Sequence, residues 1–239
     1  MARPQALDHA EKRSVLLKAA AKLFAEAGFD RTSMSEVARS CGVSKALLYH
    51  YYESKDVILY DILKLHLEAL LVAVAAADAA ARAAGGTPVE RLERLAEALL
   101  ESYRDANPEH KIQINELGKL TAERQEELKA IERDLVRLFA DAICEVHPDL
   151  AVAGTRAQLL KPVTMSLFGM LNWHYLWFRP GGPLDRPAYA RLAVKILIEG
   201  TRPGLDGPAR DGQAPEGQVR EGQVREGQVA TARIRSLAE

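Results

Sequence analysis

Two cysteines in 239 residues, Cys41 and Cys144, are too few and too far apart for a disulfide framework, and no CxxC pair offers a thiolate zinc site. What remains is two reduced thiols, or a redox-sensitive Cys41. Strand signals are almost missing too: Ala, Leu, Glu and Arg dominate, and all favour helix. The most apolar run, Leu63 to Ala84, is broken by Lys64, His66, Glu68, Asp78 and Arg82, which excludes a membrane span. No charged-then-apolar leader opens the chain, so a soluble, cytoplasmic protein with no membrane partner is expected. Charge of one sign is also missing. The net charge of −1 means that any nucleic-acid contact must come from a local patch. The six histidines show no HExxH or other metal spacing, and no GxSxG, P-loop or dinucleotide fingerprint occurs. No catalytic residue, cofactor or metal is expected, and neither is an enzyme.

What is present is a succession of amphipathic helices and clear breaks. A first helix is expected from about residue 9 to Ala27, with Val15/Leu16, Ala19/Ala20 and Leu23/Phe24 as its apolar stripe and Gly28 as its left-handed stop. Ser33-Met-Ser-Glu36 is a capping box opening a second helix, which Gly42 ends. Ser44 caps a third, where Leu48 and Tyr52 share a face. A long helix from about Lys55 to Ala84 stops at Gly85-Gly86-Thr87-Pro88. Further helices are expected over about 89–106, 109–119, 121–147, 151–179 and 185–200. Thr155 to Gln158 reads as another capping box, in competition with a start nearer Leu150, and Pro162 either kinks its helix or lies in the first turns. Beyond Thr201, Gly and Pro accumulate and the pentad Glu-Gly-Gln-Val-Arg repeats from Glu216. That composition has too few apolar groups to offset ordering entropy. A disordered tail is expected, with a weak contact motif as the alternative.

The segment from Thr32 to Lys55 carries the function. Residues 1–55 hold nine Lys/Arg against six Asp/Glu, a modest positive excess. The third helix can be anchored through Leu48 and Tyr52 while Lys45, Ala46, Tyr49 and His50 lie on or near the opposite face. Lys45 suits a phosphate or guanine O6/N7, small Ala46 allows close approach, and Tyr49 and His50 reach phosphates or base edges. Lys55 at a helix start joins a charge to free backbone N–H groups, and Thr32 and Ser33 do the same for the other strand. Solvated polar residues on a plain helical bundle are the bland alternative, as is a helical interaction module, which leaves the polar third-helix face unexplained.

The first 60 residues resemble the N-terminal domain of the TetR/AcrR family of transcriptional regulators. The resemblance is carried by AAKLFAEAGFDRTSMSEVARSCGVSKALLYHYYESKDVIL, above all Gly42-Val-Ser-Lys45, Leu48-Tyr49-His50-Tyr51-Tyr52 and Ser54-Lys55. It departs at Tyr52, where Phe is usual, and at Leu47, where small polar residues are frequent. The resemblance implies DNA-contact roles for Thr32, Ser33, Ser44, Lys45, Ala46, Tyr49, His50, Tyr51 and Lys55. It implies an all-α fold: a helix-turn-helix DNA-binding domain over 1–55, a helical ligand-binding and dimerisation domain over 56–200, and a tail over 201–239. The partners implied are double-stranded operator DNA, a second copy of the chain and a small-molecule effector.

For the effector, Met165 to Pro183 holds five of the fourteen aromatics, and Trp173 and Trp177 share a helix face. Such a stripe is core, dimer interface or ligand wall. Asn172, His174 and Arg179 inside it are costly if buried unpaired. Candidate ligand residues are Ile112, Asn115, Glu116, Phe139, Met165, Phe168, Met170, Asn172, Trp173, His174, Trp177 and Arg179. The run FGMLNWHYLWFRPGGPL is similar to the acyl-CoA-responsive subgroup of the family, and the body more narrowly to repressors of phenylacetate degradation. That resemblance implies release from DNA by an acyl-CoA thioester such as phenylacetyl-CoA, with Lys111, Lys119 and Arg179 meeting the CoA phosphates or serving as ordinary surface charges. The alternative is a family member that senses a free lipophile and controls an efflux gene.

Overall fold

A computed structural model describes residues 5–151 and 155–201, with side chains from residue 11 onward and not at 155 and 156. Among these residues the chain is all-α, with no strand. Three helices form the head: α1 (Gln5–Ala27), α2 (Met34–Ser40) and α3 (Lys45–Tyr51). The body holds α4 (Lys55–Ala84), α5 (Pro88–Ser102), α6 (Asn107–Glu116), α7 (Ala122–Val146), α8 (Leu160–Asn172), the single turn α9 (His174–Trp177) and α10 (Arg186–Gly200). Short 3-10 turns lie at Leu117–Lys119, Pro148–Leu150 and Thr155–Leu159. No helix among the described residues is long and apolar enough to cross a membrane. The expected tail and its repeat lie outside the described residues, as does the Thr155 side chain.

The head is set by its helix ends. Ser33 accepts from the Glu36 N–H while Glu36 reaches back to the Ser33 N–H at 2.7 Å, the reciprocal cap read from the sequence. Gly42 has φ +66°, a value that a Cβ disfavours, so the chain turns sharply between α2 and α3. The apolar stripe of α1 is Leu16, Leu17, Ala20, Ala21 and Phe24, and Val15 points to solvent, a rotation of the expected face by about one residue. Phe24 meets Phe29 edge-to-face at 5.2 Å. Leu48 is fully buried, which is worth about 2 kcal/mol or more for α3 docking.

The body packs α4 against α5 and α7, with α8 and α10 on the outer side. Its most polar internal joint ties three helices: Arg91 contacts Asp78 at 2.6 Å and Glu145 at 3.1 Å, and Arg82 meets both acids at 3.1 Å. Burial pushes the Asp78 carboxyl up, but the Arg91 and Arg82 hydrogen bonds outweigh it and hold the carboxyl below its ordinary range.

One expectation for the body fails. The single helix over 151–179 is instead a 3-10 turn, α8 and α9, with the break at Trp173. The break seats His174 in an aromatic box, 4.2 Å from the Phe178 ring and 5.3 Å from Tyr189 of α10. Pro162 lies in the first turn of α8, where its missing N–H is harmless. The helix expected over 109–119 ends at Glu116 and tightens to 3-10 over the next three residues.

Candidate functional site

The outer face of α3 is built from its cap upward. Ser44 accepts from the Leu47 N–H at 3.1 Å, which spends its side chain on holding the helix start. Lys45, Ala46, Tyr49 and His50 are exposed, and Tyr49 is 46% accessible. The Lys45 ammonium lies 5.8 Å from the Tyr49 ring centre, so charge and aromatic edge are presented together. His50 stands edge-on to the half-buried Tyr51 at 5.7 Å. Leu47 adds an apolar group to the same surface.

The inner side has a feature that Phe at position 52 would lack. The buried Tyr52 hydroxyl accepts from Arg13 Nε at 3.0 Å, and the same guanidinium donates to Asp61 at 2.6 Å. Burial raises the Tyr52 pKa to about 12, so it stays a neutral phenol. One cation thereby pins α1, the end of α3 and α4 together.

Besides Ser44, other expected DNA-contact side chains are already engaged within the protein. The Thr32 hydroxyl is buried and donates to the Gly28 carbonyl at 2.8 Å. The Lys55 ammonium donates to the Phe29 carbonyl at 3.0 Å and sits 4.4 Å from the Phe29 ring centre. As a correction to the expected free phosphate clamp, Lys55 closes the C-terminal end of α1. Ser33 is exposed, but its hydroxyl and N–H both face Glu36.

Head and body meet through α6 and the turn after it. Lys111 donates to the Ala25 carbonyl at 2.6 Å, near the negative end of α1, and Lys119 pairs with Asp30 at 2.5 Å. Both lysines grip the head. Beside this joint a cleft of about 350 Å³ opens between α1 (Arg13, Ser14, Leu17, Lys18), α4 (Ile62, Leu65, His66, Ala69) and the entry to α6 (Asp105, Ala106, Glu109). Its walls are mainly apolar. His66 is 6% exposed and its Nε2 has no partner, and Glu109 Oε2 is likewise buried and unpaired. Burial, and secondarily the neighbouring His110, lowers the His66 pKa to about 3, so the ring is neutral. Burial raises the Glu109 carboxyl, against its own backbone N–H and Lys18.

The twelve candidate ligand residues divide, and none lines this cleft. Ile112, Phe139 and Phe168 are in the closed core, the two Phe rings edge-to-face at 4.9 Å. Met165, Trp173 and Trp177 are each about half exposed on the outer surface, with Arg179 exposed nearby. As a correction to an aromatic-lined slot, the two tryptophans therefore look outward. Met170 is half-buried, and its carbonyl accepts from Tyr189 at 2.9 Å. Asn115 is exposed and bonds back to the Lys111 carbonyl, with Glu116 half-buried beside it. Asn172 and His174 do turn inward. Asn172 accepts from the Tyr103 hydroxyl at 2.9 Å, and its carbonyl is 3.0 Å from His110 Nε2. His174 Nε2 and His110 Nδ1 are buried without partners. Burial lowers the His174 pKa to about 4. His66, Tyr103 and His110 form one aromatic group, with 4.0 Å between the Tyr103 and His110 ring centres. Sequence reading passed over Arg13, Asp61, His66 and Glu109. The one available signal for His66 is a polar residue on the buried apolar face of α4.

The family model described as "Bacterial regulatory proteins, tetR family" matches residues 16–62, and "Tetracyclin repressor-like, C-terminal domain" matches residues 85–201. The crystal structure of a TetR-family transcriptional regulator from Bordetella parapertussis 12822 is similar at 30% identity. The likeness covers 84% of this chain and 98% of that one, with a TM-score of 0.70. The structure of AibR in complex with isovaleryl coenzyme A and operator DNA is similar at 26% identity, over 78% of this chain and 98% of that one, with a TM-score of 0.66. The HTH-type transcriptional repressor KstR2 of Mycolicibacterium smegmatis is 24% identical over 193 residues, 80% of this chain and 91% of its own length.

Proposed function

The chain belongs to the TetR family of transcriptional regulators, DNA-binding proteins rather than enzymes, and on that premise we propose that it is a cytoplasmic, homodimeric repressor released from its operator by an acyl-CoA thioester. The observation that carries the DNA half is the outer face of α3. Lys45, Ala46, Tyr49 and His50 stand clear of the protein, on a helix fixed by the Ser44 cap, buried Leu48 and the Arg13–Tyr52 bond. That is the arrangement a major groove requires: readers outside, anchors inside. Ser33, Ser44 and Tyr51 border this face. Thr32 and Lys55 contribute by shaping it, and Lys45 is the principal reader. Residues 1–55 act as the reading head, and 56–200 as the sensing and pairing body.

Two further observations support the rest of the reading. Leu159, Met165, Trp173, Leu176, Trp177, Leu192 and Ile196 are exposed on or beside α8, α9 and α10, an apolar surface suited to a second copy. AibR, similar over most of its length, binds isovaleryl coenzyme A and operator DNA. Aromatic acyl groups such as phenylacetyl belong to the same class of ligand, and control of fatty or aromatic acid breakdown is the matching role.

The test begins by selecting bound duplexes from a random DNA pool with the full chain. A palindromic site with two half-sites is expected. Isovaleryl-CoA, phenylacetyl-CoA, free CoA and free lipophiles are then titrated into that complex. Release by thioesters alone supports the reading. Release by free lipophiles alone favours efflux control, and failure to select any site removes the DNA half.

A further inference from the structure

We infer that the cleft between α1, α4 and the entry to α6 is where the thioester is sensed, its acyl group held against the head itself. This inference rests on the acyl-CoA reading above and gives it a site that the aromatic run does not supply. Three properties of the cleft match three parts of a thioester. Leu17, Ile62, Leu65, Ala69 and Ala106 give apolar walls around about 350 Å³, room for a short branched or aromatic acyl group rather than a long chain. His66 Nε2 is buried without a partner at the same cleft, and the neutral ring with hydrogen on Nε2 can donate to the thioester carbonyl. Arg13 and Lys18 border the cleft from α1. Arg13 is held by Asp61 and Tyr52, while exposed Lys18 is available to the CoA phosphates.

A free carboxylate is the poorer ligand. Glu109, whose Oε2 is unpartnered, and exposed Asp105 also line the cleft and oppose a second negative charge there. A thioester offers the acceptor oxygen without that charge and keeps its phosphates near the rim. The geometry also says what binding does. One wall is α1, which α6 grips a few residues on through Lys111 at Ala25. Filling the cleft presses α1 away from α4 and α6, and the head turns with it.

The experiment measures isovaleryl-CoA and phenylacetyl-CoA binding to the full chain by calorimetry, for wild type and for variants from three elements. Ala69→Trp fills the cleft from α4 and is expected to weaken binding more than about thirtyfold. His66→Phe keeps the ring and removes the donor, for about a tenfold loss. Lys18→Glu on the α1 surface is expected to weaken binding about fivefold and to flatten its salt dependence, while the same change at exposed Lys161 of α8 does neither. Free CoA and the free acids bind at least about tenfold more weakly. Thioesters that bind wild type, Ala69→Trp and Lys18→Glu alike overturn the cleft as the site and leave the thioester reading standing. A wild type that binds no thioester overturns both.

Discussion

Head and body are made of the same helix-forming residues and are capped alike, yet their buried polar contacts are placed differently. In the head, the short helices α2 and α3 are fixed at their ends: Ser33 and Ser44 each accept from the backbone at a helix start, and Gly42 takes positive φ between them. In the body, helices capped by Ser54, Thr87, Thr121 and Asp185 are joined as well by buried polar contacts between helices, Asp78 with Arg91 and Tyr103 with Asn172. End-fixing leaves the outer face of α3 free for a partner. Joining helices through buried polar contacts makes the interior sensitive to anything that alters a buried charge or donor. The proposed reading head and the proposed sensing body differ here by where their buried polar groups are spent.

That contrast can be broken most forcefully at its strongest joint. Asp78→Ala leaves the Arg91 guanidinium buried with only Glu145, and is expected to cost about 3–5 kcal/mol in urea unfolding. A loss under about 1 kcal/mol puts the body's stability elsewhere. Acid should act in the same direction. His66 has a folded pKa of about 3 against an ordinary 6.5, so the unfolded chain takes up the proton first. Stability present above pH 6.5 is therefore lost as pH falls towards 3, by about 2 kcal/mol between pH 7 and 5 for this ring alone, with His174 adding to it. Denaturation curves at the two values read this directly.

Smaller effects sharpen the head. Lys45→Ala should weaken operator binding by about 1–3 kcal/mol and lower the salt slope by about 1 if it meets a phosphate. Lys55→Ala, with its ammonium spent on Phe29 and Asp30 carbonyls, should leave that slope unchanged and lower the melting temperature instead. The two slopes side by side separate a reader from a brace. Tyr52→Phe restores the residue usual in the family and removes one partner of Arg13, for about 1 kcal/mol of stability. Smallest of all, Lys119→Ala loses an exposed pair with Asp30 and should leave the melting temperature nearly unchanged, yet it should alter how far an effector shifts operator affinity.

How much was legible follows from the same contrast. Caps and glycine stops are local signals, so the head, the span of α4 and the Ser33–Glu36 box could be read directly. The Thr87–Glu90 box opening α5 has the same local spelling, beside the Gly85-Gly86 break. The division of residues 151–179 was not readable, because Tyr189, fifteen positions beyond His174 and on another helix, is among the partners that the turn at Trp173 brings together. Lys55, Lys111 and Lys119 look in sequence like cations for phosphate. Their acceptors, at Phe29, Ala25 and Asp30, lie 26 to 89 residues away and become visible only once α1 meets α6. The aromatic run marked an important segment but did not tell inward from outward, since a half-turn of α8 exchanges the two.

Nothing between Lys55 and Ala84 is proline or glycine, so α4 is an unbroken rod of 30 residues. Such a rod is about 45 Å long. A tilt of about 5° at its far end sweeps the near end through about 4 Å, already more than the rise of one base pair. In the proposed dimer, two heads swung in opposite senses fall out of phase with the DNA helix by twice that amount. In the proposed repressor, leverage of this kind lets a small molecule of modest size undo a contact surface that it never touches.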